Sequence, residues 1–207
     1  VNPFQAKLKL IKKISFPKGK ILGKGNKYFI LSNQANDEAV IINRLLSQKI
    51  RLYVVHQSFS TEGLSFTPVA IIIPFTPKTK RIISESISEL GTNVYLINQE
   101  IKVKKSIIDL PSLGIYQSWV PNMDEGWLRW VLEKFEFPFK TIHNSEMKAG
   151  NLISRYNTII IPNMSLSALI EGRKEGVPPQ YKGGIGQEGI TNLEESIVKG
   201  GKLITIG

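Results

Sequence analysis

Two neighbouring carboxylates and a guanidinium fall within one short stretch: Asp124, Glu125 and, four residues after the latter, Arg129. A pair of carboxylates is what general acid–base work needs. An arginine fork beside them suits bidentate pairing with a ligand carboxylate, such as a peptide C-terminus. It suits equally a bridge to Glu125 or Glu133 on its own helix. Gln117 and Trp119 stand just ahead of this group. A later loop, containing Tyr181, Gly183, Gly184 and Gly186, is placed to close over it. The candidate ligand pocket is therefore Gln117, Trp119, Asp124, Glu125, Arg129, Tyr181, Gly183, Gly184 and Gly186, with no residue assigned as catalytic. Adjacent acids at a helix start are stabilised there by the helix dipole, which accounts for Asp124 and Glu125 without any reaction.

Other arrangements are weaker. Gly184-Ile185-Gly186-Gln187-Glu188-Gly189 has the spacing G-x-G-x-x-G, but a dinucleotide fingerprint needs a strand directly before it. Pro178-Pro179-Gln180-Tyr181 stands there instead, so the run reads as a glycine-rich helix entry. His143-Asn144-Ser145-Glu146 reads H-x-x-E, yet a catalytic zinc needs a third protein ligand. The other histidine, His56, lies in the opposite half, so a capping role fits His143 and Glu146 better. Glu171 is a further acid near a predicted strand end. Ser118, Ser145, Ser165 and Ser167 lie in no G-x-S-x-G context, which disfavours a serine hydrolase. The chain has no cysteine, so disulfides, thiolate metal sites and thiol nucleophiles are excluded. No metal or cofactor is expected.

The elements that position these residues follow from pattern. Leu113 to Tyr116 is a short apolar run that stops at Gln117-Ser118. Pro121 breaks the chain, and Asn122 or Asp124 can cap a helix carrying Trp127, Trp130, Val131 and Leu132. A strand passing to a helix through such a loop is where open α/β sheets place ligands. Trp127 and Trp130 share a helix face and read as core or interface packing. Trp119, in the loop, is the better ligand candidate. Lys140 to Ile142 and Leu203 to Ile206 read as strands, Gln187 to Val198 as a helix, and Asn163 to Ile185 as a long irregular loop. The apolar run Thr158 to Ile161 suits a parallel strand buried on both faces.

Earlier in the chain, Ala6 to Ile14 alternates and reads as an edge strand, with a turn at Phe16 to Gly19. Tyr28 to Leu31, a helix over Asp37 to Gln48, and Ile50 to Val55 form a βαβ unit whose strands should be parallel. Phe59 to Phe66 reads as a hairpin turning at Glu62-Gly63. Val69 to Ile73 is a strand, and the helix that follows ends at Gly91 as a C′ glycine. Val94 to Ile97 is a strand, and Gln99 to Ser112 reads as a polar link. The expected fold is α/β, two small domains with mainly parallel sheets: residues 1–110 basic, residues 111–207 flavodoxin-like.

A hydrophobic share of 42% marks a globular chain. No apolar run approaches the roughly 20 residues of a membrane helix. Residues 1–112 carry 17 Lys/Arg against 7 Asp/Glu, whereas residues 113–207 carry 10 of each. The whole excess of +10 thus lies in the first half. Basic recognition surfaces favour arginine with interleaved aromatics, and Lys7 to Lys27 has no arginine, which disfavours nucleic acid as a partner.

The strings at residues 114–143 (GIYQSWVPNMDEGWLRWVLEKFEFPFKTIH), 149–163 (AGNLISRYNTIIIPN), 171–189 (EGRKEGVPPQYKGGIGQEG) and 200–207 (GGKLITIG) resemble one family. They are similar to the region that follows the peptidase domain of large, often secreted zinc-carboxypeptidase-like proteins. Residues 27–46 and 58–74 are similar to that family's segment just upstream. The resemblance implies a class I glutamine-amidotransferase-like, flavodoxin-like second half. True amidotransferases place a cysteine after a central strand, here Leu203 to Ile206, and this chain offers none. The resemblance therefore implies a non-catalytic accessory or binding module for a peptide or small molecule, with self-association or a longer gene product completing the sheet. The alternatives are a hydrolase or transferase using the acids between Gln117 and Arg129, and a nucleic-acid binder through the basic half.

Overall fold

The computed structural model describes residues 9–12, 14 and 17–207. Of the edge strand expected over Ala6 to Ile14, residues 6–8 and 13 lie outside them, and residues 9–12 and 14 have no strand geometry. Phe16 of the expected turn also lies outside. The chain divides into two compact units. One holds the described residues up to Glu38 together with Tyr53–Ser106. The other holds Ala39–Leu52 and Ile107–Gly207.

In chain order the first elements are β1 (Ile21–Leu22), β2 (Tyr28–Leu31), α1 (Glu38–Ser47), β3 (Leu52–Val55), β4 (Phe59–Thr61), β5 (Leu64–Phe66), β6 (Ile71–Pro74), α2 (Pro77–Leu90), β7 (Val94–Ile97) and β8 (Lys105–Ile108). Six of these strands form one sheet in the order β1-β7-β2-β6-β3-β8. Strands β2 and β6, β2 and β7, and β3 and β6 pair antiparallel, while β1 and β7 pair parallel. A mainly parallel sheet is therefore not what this unit has. Strands β2 and β3 do run in the same direction, as a βαβ unit requires, but β6 is inserted between them. The reason lies in the connections. Strand β3 reaches β6 through the β4–β5 hairpin and no helix, and antiparallel neighbours can be joined without a helical crossover whereas parallel ones need it.

Local chemistry sets the ends of these elements. Glu62 and Gly63, with φ of 49° and 76°, turn the β4–β5 hairpin. Thr76 and Thr79 form a reciprocal cap at the start of α2, and Gly91 ends it in the left-handed region with φ 70°. One face of the sheet buries Ile30, Val55, Phe66, Ala70, Ile72 and Ile97. The expected polar link from Gln99 to Ser112 instead contains β8, whose Ile107 is half-exposed. Its lysines hide a strand pattern typical of a guarded edge.

The second unit holds β9 (Leu113–Tyr116), α3 (Met123–Lys134), β10 (Phe139–Ile142), α4 (Asn144–Ala149), a 3-10 turn (Leu152–Ser154), β11 (Thr158–Ile161), α5 (Leu166–Ile170), a second 3-10 turn (Pro179–Tyr181), α6 (Gly186–Val198) and β12 (Lys202–Thr205). Helix α1 belongs to it from Ala39 on: Asn43 donates to the Phe135 carbonyl at 2.8 Å, and Arg44 pairs with Glu136 at 2.6 Å. The four strands lie in the order β10-β9-β11-β12, all parallel. Strand β11 is buried along its length, as its apolar sequence demands. Tyr116, Ile142, Met147, Leu152, Ile159 and Leu193 pack into the core. The loop expected over Asn163 to Ile185 contains α5 and a 3-10 turn, both too short to show a helical period. Trp127 and Trp130 are not core: they are 60% and 53% exposed and meet edge-to-face at 5.9 Å. Among the described residues no helix is long and apolar enough to cross a membrane.

Candidate functional site

Because all four strands of the second sheet point the same way, the loops after β9, β10 and β11 emerge at one edge. From β9 the chain crosses to β10 on one side. From β11 it crosses to β12 on the other. Adjacent strands whose connections leave in opposite directions open a crevice between their carboxyl ends. A cleft of about 270 Å³ lies there, lined by Ser118, Val120 and Asn122 from the loop after β9 and by Asn163, Met164 and Ser165 from the loop after β11.

The cleft is built from caps. The Asn122 side chain accepts from the backbone N–H groups of Asp124 (2.9 Å) and Glu125 (3.2 Å) and donates to the Asn163 carbonyl at 2.8 Å. Asn163 in turn donates to Asp124 at 3.1 Å. Asn122 is thus the cap of α3, and Asp124 ties that helix to the loop after β11. Ser165 caps α5 through the Ala168 N–H.

Glu125 and Arg129 form the i,i+4 bridge on α3, with the Glu125 side chain 8% and that of Arg129 27% exposed. Arg129 also donates to Thr141 at 3.1 Å and lies 5.1 Å over the Phe139 ring. The Gln117 side chain donates to the other Glu125 oxygen at 3.4 Å. Burial in this form satisfies both charges, because a buried carboxylate needs a cation and further donors. The structure thus brings Gln117, Glu125 and Arg129 together and turns Asp124 away from them, toward Asn163.

Trp119 belongs to a separate group. It stacks on His143 with ring centres 4.3 Å apart and planes within 10°, and Tyr181 tilts against it at 4.7 Å. His143 follows β10 directly, and its Nδ1 lies 2.9 Å from the Gln117 carbonyl oxygen. The next residue, Asn144, is buried. It accepts from the Tyr116 hydroxyl at 2.6 Å and donates to the Gly183 carbonyl at 2.8 Å. Burial pushes the Tyr116 phenol up to about 12. Tyr181 and Gly183 are thereby held near His143 and Trp119. Gly184 is buried where a Cβ would stand 2.2 Å from the Leu169 carbonyl oxygen, so glycine is required for that close approach. Gly186 opens α6, and no strand precedes it, consistent with the glycine run being a helix entry.

The H-x-x-E motif serves local structure: Glu146 accepts from the His143 backbone N–H at 3.2 Å and pairs with Arg155. Lys174 hydrogen-bonds Glu171 and holds its carboxyl below the usual range. Among the described residues no group of three His, Cys, Asp or Glu side chains is placed to hold a metal ion.

Sequence reasoning did not assign His143, Asn144, Asn122 or Asn163 to a pocket. The signal was position: His143 stands one residue past β10, and Asn163 two past β11. Comparison with protein-family models, with curated proteins and with solved structures finds no match for this chain.

Proposed function

We propose that this chain is a non-catalytic binding module that takes a peptide side chain or a small molecule at the carboxyl ends of β9, β10 and β11. The observation that carries the reading is the switch-point cleft, lined by the amides and hydroxyls of Ser118, Asn122, Asn163 and Ser165 together with apolar Val120 and Met164, while Asp124, Glu125 and Glu146 at this edge are held by the protein. Asp124 is bonded by Asn163, Glu125 by Arg129 and Gln117, and Glu146 by Arg155 and the His143 N–H. A hydrolase or transferase would need a carboxylate free to move a proton. At about 270 Å³ the cleft falls just below the roughly 300 Å³ where drug-sized ligand sites begin, so the occupant is one ring or one side chain.

The strand order supports a flavodoxin-like second unit: β10-β9-β11-β12 is the order 2-1-3-4 of such a sheet. The likeness of the D-E-G-W-x-R-W and P-P-x-Y-x-G-G-I-G strings supports placing the module beside a zinc-carboxypeptidase-like peptidase. The test is a fragment screen on the uniformly 15N-labelled chain, with parallel turnover assays on glutamine and on a peptide. Bound fragments should move the backbone signals of Ser118, Asn122, Asn163 and Ser165, and neither substrate should be consumed. Turnover abolished by Glu125→Gln would overturn the reading.

A further inference from the structure

We infer that His143 and Trp119 are the groups that receive the ligand, and that the ligand is a small planar ring carrying an N–H or O–H donor. Both residues follow strands of the carboxyl edge proposed above, β10 and β9, but do not line its cleft of about 270 Å³. They extend that binding edge, and their role rests on that reading.

The tautomer of His143 is set by its neighbour. A carbonyl oxygen has lone pairs and no hydrogen, so the 2.9 Å approach of His143 Nδ1 to the Gln117 carbonyl requires the proton on Nδ1. In the neutral ring Nε2 is then an acceptor. Nε2 has no protein partner among the described residues, and none of their buried polar side-chain atoms lacks one. Nε2 therefore reaches solvent. It differs from the Nε2 of His56, which is engaged by the Ser106 hydroxyl at 2.7 Å. It differs too from Asp124, Glu125 and Glu146 at the same edge, whose carboxylates are bonded to protein.

The ring is also held in place. Its plane is set by Trp119, within 10° and 4.3 Å away, and its rotation by the Nδ1 bond. Tyr181 closes the group at 59° to Trp119, and both rings are 37% exposed. Aromatic faces and edges presented together favour a flat ring in offset or edge-on contact. A fixed acceptor beside them favours a donor on that ring, and fixing it in advance lowers the ordering cost of binding.

The probes are benzamide, a flat ring with an N–H donor, and N,N-dimethylbenzamide, the same ring without one. Long-range 1H–15N spectra of the wild-type chain should show His143 protonated on Nδ1. Benzamide should shift the His143 Nε2 and Trp119 indole signals and bind roughly fivefold more tightly than its dimethyl analogue. In His143→Asn the shorter side-chain amide keeps a donor toward Gln117 and leaves no acceptor at the position of Nε2, so the two probes should bind alike. A proton on Nε2 in the wild type, equal binding of the two probes to it, or a preference that survives in His143→Asn overturns the inference. Probes that move only the Ser118 and Asn163 signals leave the binding module standing and remove His143 from it. No shift with either probe also overturns the assignment of His143 and Trp119, whereas the binding module itself falls only if the fragment screen moves no signal at this edge.

Discussion

The two sheets have similar central strands and opposite consequences. β6 reads IIIP and β11 reads TIII, and both are buried through their isoleucines. In the first sheet β6 runs antiparallel to both neighbours, so the carboxyl ends of adjacent strands lie at opposite edges. In the second, β10, β9 and β11 run together, and their carboxyl ends deliver His143, the Gln117–Asn122 loop and Asn163 to one edge. A cluster of functional groups follows strand direction rather than strand composition.

The largest test of this comparison is in the two cores. Ile72 of β6 and Ile115 of β9 are both fully buried. Ile72→Ala and Ile115→Ala should each lower stability by about 2–5 kcal/mol in urea unfolding, because loss of contacts around a deleted side chain does not depend on strand direction. A large cost in one sheet and almost none in the other would break the equivalence of the two cores.

What should differ is sensitivity at the carboxyl edge of the second sheet. Arg129→Met strands Glu125 without its cation and should cost about 2 kcal/mol, below the figure for a fully buried pair because Arg129 is partly exposed. Adding Glu125→Gln should recover about half of that loss, since a neutral amide tolerates the site better than an unpaired carboxylate. No recovery in the double variant would mean that Arg129 acts through its packing on Phe139 and Thr141 rather than through charge.

A smaller effect is expected at the strand end that holds the Gly183 loop. Tyr116→Phe removes the donor to Asn144 and should cost about 1 kcal/mol, with faster amide exchange around Gly183. The folded phenol is raised to about 12 from an unfolded value of about 10. Its neutral form is therefore favoured by folding. That stabilising contribution is complete below about pH 10 and is lost as pH rises through about 12. The wild type should lose stability over this window more steeply than Tyr116→Phe, and parallel curves would contradict the assignment.

Much of the candidate site was legible in the chain. The spacing of Glu125 and Arg129 allowed their bridge, and Asn122 ahead of an apolar-aromatic run allowed its cap. Trp119 beside a strand end marked the aromatic group, but its stacking partner His143 lies 24 residues further along the sequence. The same spacing rule allowed core or interface packing at Trp127 and Trp130, and of the two the exposed helix face they share overturns the core reading. Amphipathic spacing says which residues lie together on a helix, and not whether anything covers them.

By itself the sequence determined what depends on neighbours a few residues apart: the Glu62-Gly63 turn, the Gly91 helix end, the buried run of β11 and the acids at the start of α3. Turns, caps and side-chain periodicity are satisfied within one or two turns of chain, so residue type and spacing carry them. Tertiary structure alone decided that β6 enters between β2 and β3, that β8 joins a sheet from a lysine-rich stretch, and that Gln117 fixes the tautomer of His143. Each of these is a pairing between distant segments. Its energy comes from the matching surface and must offset the entropy cost of closing a long loop, and no local pattern records which surface that is.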